Sequence, residues 1–417
     1  MLSRKLRLSN ILKTLKEKRV LIRVDFNVPL KDGVVKDVNR IRAAIPTINS
    51  AFDAGARSVV VMSHLGRPDG KRSDKDSLKQ IVDSIEKLAK RPVTFLNDCV
   101  GPEVESACAK PKDGQLILLE NLRFHPEEEG SAKIDGKKVK ADPGKVKEFR
   151  KSLTKLGDIY VNDAFGTAHR AHSSMVGVDL PVRAAGHLLA KELENFAKII
   201  ENPERPLLVI MGGAKIKDKI PIITKMLDLV DEMIIGGGMA FTFEKFHNKM
   251  EIGNSIFDPE GEKLVGDILA KAKSKNVKLH FPVDFRCGDS FNQSAKLKTF
   301  KASEGIPKGW LGLDNGPQTD AKFADVIARA RTVLWNGPQG VTEFKPFRES
   351  SIRMLESLME ATKRGASTIV GGGETVSFVN SIHGAAENLS HVSTGGGASL
   401  ELLEGRELPG IAALSDA

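Results

Sequence analysis

Cysteine is scarce: Cys99, Cys108 and Cys287 are the only three in 417 residues. They form neither a disulfide framework nor a CxxC metal pair, which excludes a disulfide-stapled fold and points to a reducing compartment, by default the cytoplasm. Aromatic residues are 5% of the chain, with one Tyr and two Trp. Nucleic-acid binders interleave basic side chains with aromatic platforms, whereas the densest lysine run here, Lys133 to Lys155, carries Phe149 alone. That run reads as a solvated insertion, and nucleic acid is not expected as the main partner. Long apolar runs are missing, so no membrane-spanning helix is expected, and Met1 to Leu8 is too charged for a secretory signal. Neither GxxxxGK followed by Ser or Thr nor GxGxxG occurs, which counts against P-loop and Rossmann machinery.

What remains is a basic chain of net charge +9, 41% hydrophobic and 28% charged, long enough for two cores. An anionic partner is implied, with phosphorylated metabolites among the classes that fit. Short apolar runs alternate with helical patterns throughout, which predicts an α/β chain of parallel sheets covered by helices. The predicted strands are Val20–Val28, Ser58–Met62, Gln115–Leu119 and Asp158–Val161, then Leu207–Met211, Met233–Ile235, Val277–Phe281, Thr332–Trp335 and Ser367–Val370. Leu78, Ile81, Ile85 and Leu88 fall on one helical face and are predicted core. A helix over Leu188–Ile200 is expected to stop at Asn202-Pro203-Glu204-Arg205-Pro206, where the domain junction is placed.

In open α/β sheets, ligands bind beyond the carboxyl ends of the strands. The first half carries charge there: Asp25 and Asn27, then His64, Gly66 and Arg67, then Arg123, then His169 and Arg170, with Arg40 just beyond the first strand. Read as a strand, Val20–Val28 sets Arg23, Asp25 and Asn27 on one face, a hydrogen-bonding wall. A lone arginine after a strand is an ordinary surface residue. Four strand exits bearing Arg or His imply an anion, because converging cations repel unless one sits between them. A small phosphorylated acid fits. His169 and His172 have no further Cys or His nearby, so no zinc is assigned, and His172 is expected to satisfy local backbone.

The second half carries glycine instead: Gly212-Gly213-Ala214-Lys215, Gly236-Gly237-Gly238, Asn336-Gly337-Pro338 and Gly371-Gly372-Gly373-Glu374-Thr375. Bare backbone N–H groups approach phosphate oxygens closely, so the four together suggest a nucleotide's phosphates. On a helix opening after Gly213, Lys215 and Lys219 would share one face.

These motifs together resemble the phosphoglycerate kinase family over essentially the whole chain. The matching segments are Arg23–Pro29, Ser63–Pro68, Leu118–Gly130, Val161–Gly177, Gly212–Ile220, Gly236–Phe243, Trp335–Gly340 and Ser390–Gly405. The resemblance implies two lobes, each a mostly parallel sheet flanked by helices, joined by a hinge helix. Its boundaries would be 1–187 for the acid-binding lobe, 188–203 for the helix, 204–403 for the nucleotide lobe and 404–417 for a tail packing back on the first lobe. It further implies a cytoplasmic, monomeric, hinge-bending enzyme of glycolysis. The reaction would be reversible phosphoryl transfer between 1,3-bisphosphoglycerate and ADP, giving 3-phosphoglycerate and ATP, with Mg²⁺. On this resemblance Asp25 and Asn27 hold the glycerate, His64, Arg67, Arg123 and Arg170 hold its phosphate, and Arg40 sits at the reacting carboxyl. Lys215 and Lys219 follow the phosphoryl charge, so that Arg40, Lys215 and Lys219 form the catalytic set. Gly213, Ala214, Gly237, Gly238, Gly312, Leu313, Pro338 and Val341 line the nucleotide pocket, with Glu343 on the ribose. Asn336, Gly372, Gly373 and Thr375 serve the phosphates, and Glu192 and His391 link the lobes.

The chain departs from the family pattern at Glu374, where Asp is expected for the metal. An extra methylene moves a carboxylate by about 1.5 Å. Asn315, Thr342, His187 and Ala190 are further departures. Glu374 motivates an alternative expectation, a catalytically weakened homologue that keeps both pockets.

Overall fold

The computed structural model describes every residue from Met1 to Ala417. The chain forms two compact units, Met1–Glu194 together with Glu407–Ala417, and Asn195–Arg406. None of its helices is long and apolar enough to cross a membrane.

In the first unit a six-stranded sheet runs in the order Arg183–Ala185, Ile159–Asp163, Arg19–Val24, Ser58–Met62, Gln115–Leu118, Val93–Phe95. Every pairing is parallel, with Arg19 opposite Ser58 and Val20 opposite Ile159. Strands such as Ser58–Met62 are buried along their whole length, which is why they are written as continuous Val and Met rather than alternating. The helix Asn39–Asp53 turns Ile41, Ala44, Ile45, Ile48 and Ala51 into the core beside Val20, Ile22 and Val24. Leu78, Ile81 and Ile85 join the same core, with Leu88 packed at its margin. The lysine-rich insertion opens as a hairpin, Ser131–Ile134 with Lys137–Lys140, in which residues 133–140 are all exposed.

The strand expected over Val20–Val28 stops at Val24. Beyond it the Phe26 N–H donates to Ser63 Oγ at 2.9 Å and the Asn27 N–H to Asp25 Oδ1 at 3.1 Å, so side chains replace the sheet ladder. Phe26 and Val28 still enter the core, but Asp25 and Asn27 stand on a loop at the sheet's carboxyl edge rather than on a strand face.

The second unit holds another all-parallel six-stranded sheet, ordered Lys278–His280, Glu232–Ile235, Leu207–Met211, Thr332–Asn336, Ser367–Gly371, His391–Val392. A three-stranded antiparallel sheet adds Leu297–Lys301, Asp284–Gly288 and Leu311–Asn315.

The helix His187–Ile200 carries the chain from one unit to the other. Its start is anchored in the first unit, where Asp163 Oδ1 accepts from the Leu188 and Leu189 N–H groups at 2.9 and 3.2 Å and Thr47 Oγ1 from that of His187 at 2.9 Å. The two compact units part within this helix, between Glu194 and Asn195. The C-terminal segment returns to the first unit: the Leu6 N–H donates to Ser415 O, and the Gly410 N–H to Ala168 O.

Candidate functional site

The strand ends of the first unit gather cations. Arg23, fully buried on Arg19–Val24, donates through Nε to Ser174 Oγ at 2.8 Å and through Nη2 to His64 Nδ1 at 3.2 Å. Arg123, also buried, donates to Gly66 O at 3.0 Å and lies 3.7 Å from Glu129. The Gly66 N–H donates to Asn27 Oδ1 at 2.9 Å, and Arg40, in the first turn of its helix, pairs with Asp25 at 2.8 Å. The electrostatics tie these groups into one patch. Burial, then Arg23, Arg123, His172 and Arg40, hold the His64 imidazole well below its ordinary value. His172 is pushed down to about 3 by burial, then by Arg123, Arg23, Arg170 and His169. Burial also lowers Arg123, helped by Arg23 and Arg170 and opposed by Glu129. Both histidines are thus neutral at pH 7, and Arg67 stands exposed on the loop that bears His64 and Gly66.

His172 does not satisfy local backbone, as the sequence suggested. Its Nδ1 is buried without a hydrogen bond, and its Nε2 lies 3.9 Å from Glu129. Asp98, Cys99 and His125 bring their ligand atoms within 4.8 Å of one another, but Asp98 and His125 already satisfy each other at 2.6 Å.

In the second unit a cavity of about 270 Å³ is bounded by Gly213, Ala214, Gly237, Gly238, Gly312, Leu313, Pro338, Val341, Glu343 and Glu374, all foreseen from the sequence. Two glycines make its walls possible. A Cβ on Gly337, whose φ is +102°, would lie 2.2 Å from Gly212 O, and one on Gly312 would lie 2.1 Å from the Phe241 ring. Beside it, Lys219 Nζ donates to Asn336 Oδ1 at 2.6 Å, and a Cβ on Gly213 would touch Lys219 Cε at 3.4 Å. Burial lowers the Lys219 ammonium, with Glu374 and Asp218 opposing. Gly372, at φ +90°, packs against the Asn336 amide and precedes Gly373 at the opening of the helix Gly373–Ser381. The Asn336 Nδ2 is buried and unpartnered.

One expectation changes here. No helix opens after Gly213: a 3₁₀ turn covers Lys217–Lys219 and the α-helix runs Ile220–Met226, so Lys215 stays exposed on the loop and does not share a helical face with Lys219. Thr375 is buried, its Oγ1 accepting from the Gly337 N–H at 2.7 Å, which fixes the loop after Thr332–Asn336.

A phosphoglycerate kinase family model matches residues 10–406. The phosphoglycerate kinase of Tetrahymena thermophila is 59% identical over 100% of this chain and 99% of its own, and that of Yarrowia lipolytica 59% over 96% of both. The solved phosphoglycerate kinase of Coxiella burnetii superposes with a TM-score of 0.86 at 36% identity, covering 98% of each chain. The chain belongs to the phosphoglycerate kinase family. Kinase activity, with transfer of phosphate to the carboxyl of 3-phosphoglycerate, follows from that membership, and nothing observed favours a weakened homologue. Within this phosphoglycerate kinase fold, the sequence list omitted Arg23 and His172 from the cation patch. It also omitted Phe241, Ile256, Phe285, Phe291, Leu311, Asp314, Gln339 and Gly340 from the cavity. Arg23 was readable, since a charge inside a strand of Val, Leu and Ile needs a buried partner. Phe291 carried no such signal: it is 66% exposed in a polar loop and lies tilted against Phe344, ring centroids 4.9 Å apart.

Proposed function

We propose that the first unit's patch holds the phosphate of 3-phosphoglycerate on His64, Arg67, Arg123 and Arg170, with Asp25 and Asn27 on the glycerate and Arg40 at its carboxyl. The observation that carries this reading is that burial, and then the neighbouring cations, lower the protonation of His64, Arg123 and His172, a field that a doubly charged phosphate relieves. ADP or ATP enters the second unit's cavity, its base against Gly237, Gly238, Gly312, Leu313, Pro338 and Val341 and its ribose toward Glu343. Gly213, Ala214, Lys215, Lys219, Asn336, Gly372, Gly373 and Thr375 form the phosphate end. Glu374 bounds the cavity and lies in the field of Lys219, so it offers the oxygen donor that Mg²⁺ prefers. When bound, the metal neutralises charge developing on the phosphate oxygens.

The chemistry needs no general base. A carboxylate oxygen of 3-phosphoglycerate attacks the γ-phosphorus of ATP, the new C–O–P linkage forms, and the bond to the ADP oxygen breaks without proton transfer. Arg40 and Lys219 act by position and charge, steadying the phosphoryl group between the two oxygens. Because the acid and nucleotide sites belong to separate units, turnover requires a state that brings them within bonding reach, from which water is excluded. A cytoplasmic monomer is the form we expect.

A coupled assay with 3-phosphoglycerate, ATP and Mg²⁺ tests the reading, and turnover of about 1 s⁻¹ or faster is expected. Arg40→Ala should abolish transfer while nucleotide affinity persists. Normal turnover in that variant would remove Arg40 from its role.

A further inference from the structure

The cation patch rests on a buried acid that the transfer reaction does not use. Glu128 is 1% exposed, on the short helix Pro126–Glu129. Its Oε2 accepts the Ser174 N–H at 2.9 Å and its Oε1 the Ser174 hydroxyl at 2.5 Å. With its proton committed to Glu128, Ser174 Oγ is an acceptor, and it takes Arg23 Nε–H at 2.8 Å. Tyr160 fixes the other side of this residue, donating to Ser174 O at 2.7 Å. Arg23 in turn reaches His64 Nδ1 at 3.2 Å. A guanidinium has only donors, so His64 Nδ1 is an acceptor and carries no proton. The ring is neutral in the field of Arg23, Arg123 and Arg40, so its one N–H is at Nε2. The Nδ1 bond to Arg23 leaves Nε2–H as the ring's one donor.

We propose that Glu128, Ser174 and Arg23 form a relay of positioning residues that holds His64 as the Nε2–H tautomer, a neutral donor ready for a phosphate oxygen. Each link has a defined direction. The carboxylate orients the hydroxyl, the hydroxyl orients the guanidinium, and the guanidinium selects the imidazole tautomer. Glu128 stands behind Arg23 and Arg123: burial raises its carboxyl, while Arg23, the Ser174 hydrogen bonds and Arg123 oppose that rise, so the acid and the two guanidiniums hold one another in place before any anion arrives. Without it the patch must expel a guanidinium into solvent or lose its geometry, and the anion would then bear the cost of assembling its own site. The identity of the anion rests on the functional reading above. The tautomer and the relay do not.

Two measurements separate these levels. In the unmodified protein, long-range ¹⁵N–¹H spectra of histidine-labelled chain report the His64 tautomer, assigned by loss of its signals in His64→Gln. An Nε2–H ring with an unprotonated Nδ1 is expected, and an Nδ1–H or charged ring at pH 7 overturns the relay whatever the substrate. In Ser174→Ala, which cuts the link between Glu128 and Arg23, KM for 3-phosphoglycerate should rise about tenfold while KM for ATP and kcat change less than about twofold. The His64 spectrum should move at the same time. An unchanged His64 spectrum in a folded Ser174→Ala protein, or equal loss toward both substrates, would reduce Ser174 to packing and overturn the proposal. Failure of wild-type turnover with 3-phosphoglycerate would count against the substrate reading alone.

Discussion

The two units meet phosphate chemistry by opposite means. In the first, side chains do the work: buried Arg23 and Arg123, with His64 and His172, press against one another and are kept in place by Glu128 and Glu129. In the second, side chains withdraw. Gly212 and Gly337 bring two backbones together, and Gly312 yields its Cβ space to Phe241. A site made of charge is sensitive to losing charge and tolerant of shape, whereas one made of bare backbone is sensitive to a single added carbon.

The largest expected effect follows from that contrast. Gly337→Ala puts a methyl into Gly212 O at a φ disfavoured for L residues, and should cost about 3 kcal/mol or more of stability, with nucleotide affinity lost. Denaturant unfolding and ADP titration read both, and wild-type affinity would show that the backbone contact is dispensable. Next, Arg123→Met keeps volume but removes charge. It should raise KM for 3-phosphoglycerate about a hundredfold while stability changes by no more than about 1 kcal/mol, because Arg123 repels Arg23 and Arg170 but also loses Glu129 and Gly66. An equal loss of stability and affinity would erase the distinction between the units.

A third test concerns pH. Burial raises the Asp314 carboxyl to about 8, with bonds from the Ser350 and Asn315 N–H groups and the Arg286 charge only partly opposing it. Its folded value lies above its unfolded one, so the native state binds this proton more tightly. The resulting stability is full below about pH 4 and is lost as pH rises through about 8. Asp314→Asn removes that dependence and should gain about 4 kcal/mol relative to wild type between pH 5 and pH 9. Parallel stability profiles for the two proteins would contradict it. The smallest effect is at the metal donor: Glu374→Asp should raise kcat about threefold by shortening the reach of the carboxylate. An unchanged rate would mean that this cavity accommodates Glu without penalty.

Most of both parallel sheets was legible because their strands are continuous runs of Val, Ile and Leu. Arg183–Ala185, Val93–Phe95 and His391–Val392 were not, being only two or three residues long, nor was the antiparallel sheet of Asp284–Gly288, Leu311–Asn315 and Leu297–Lys301, the last a solvent-facing strand whose lysines hide its pattern. Glycine composition exposed the wall of the cavity, while a helical face shared by Lys215 and Lys219 was misjudged although the chain carried the correction. Pro221 suits only the first turn of a helix, so the helix begins at Ile220. The relay behind His64 joins residues 23, 64, 128 and 174, a separation that no local pattern encodes.

The return of residues 407–417 to the first unit has a consequence for the order of assembly. On a ribosome the second unit has all its residues, 195–406, while the first still lacks the segment that seats on Leu6 and Ala168. The part of the molecule made earliest is therefore the part finished last, and removal of those closing residues would be felt by the first unit rather than by its neighbour in the sequence.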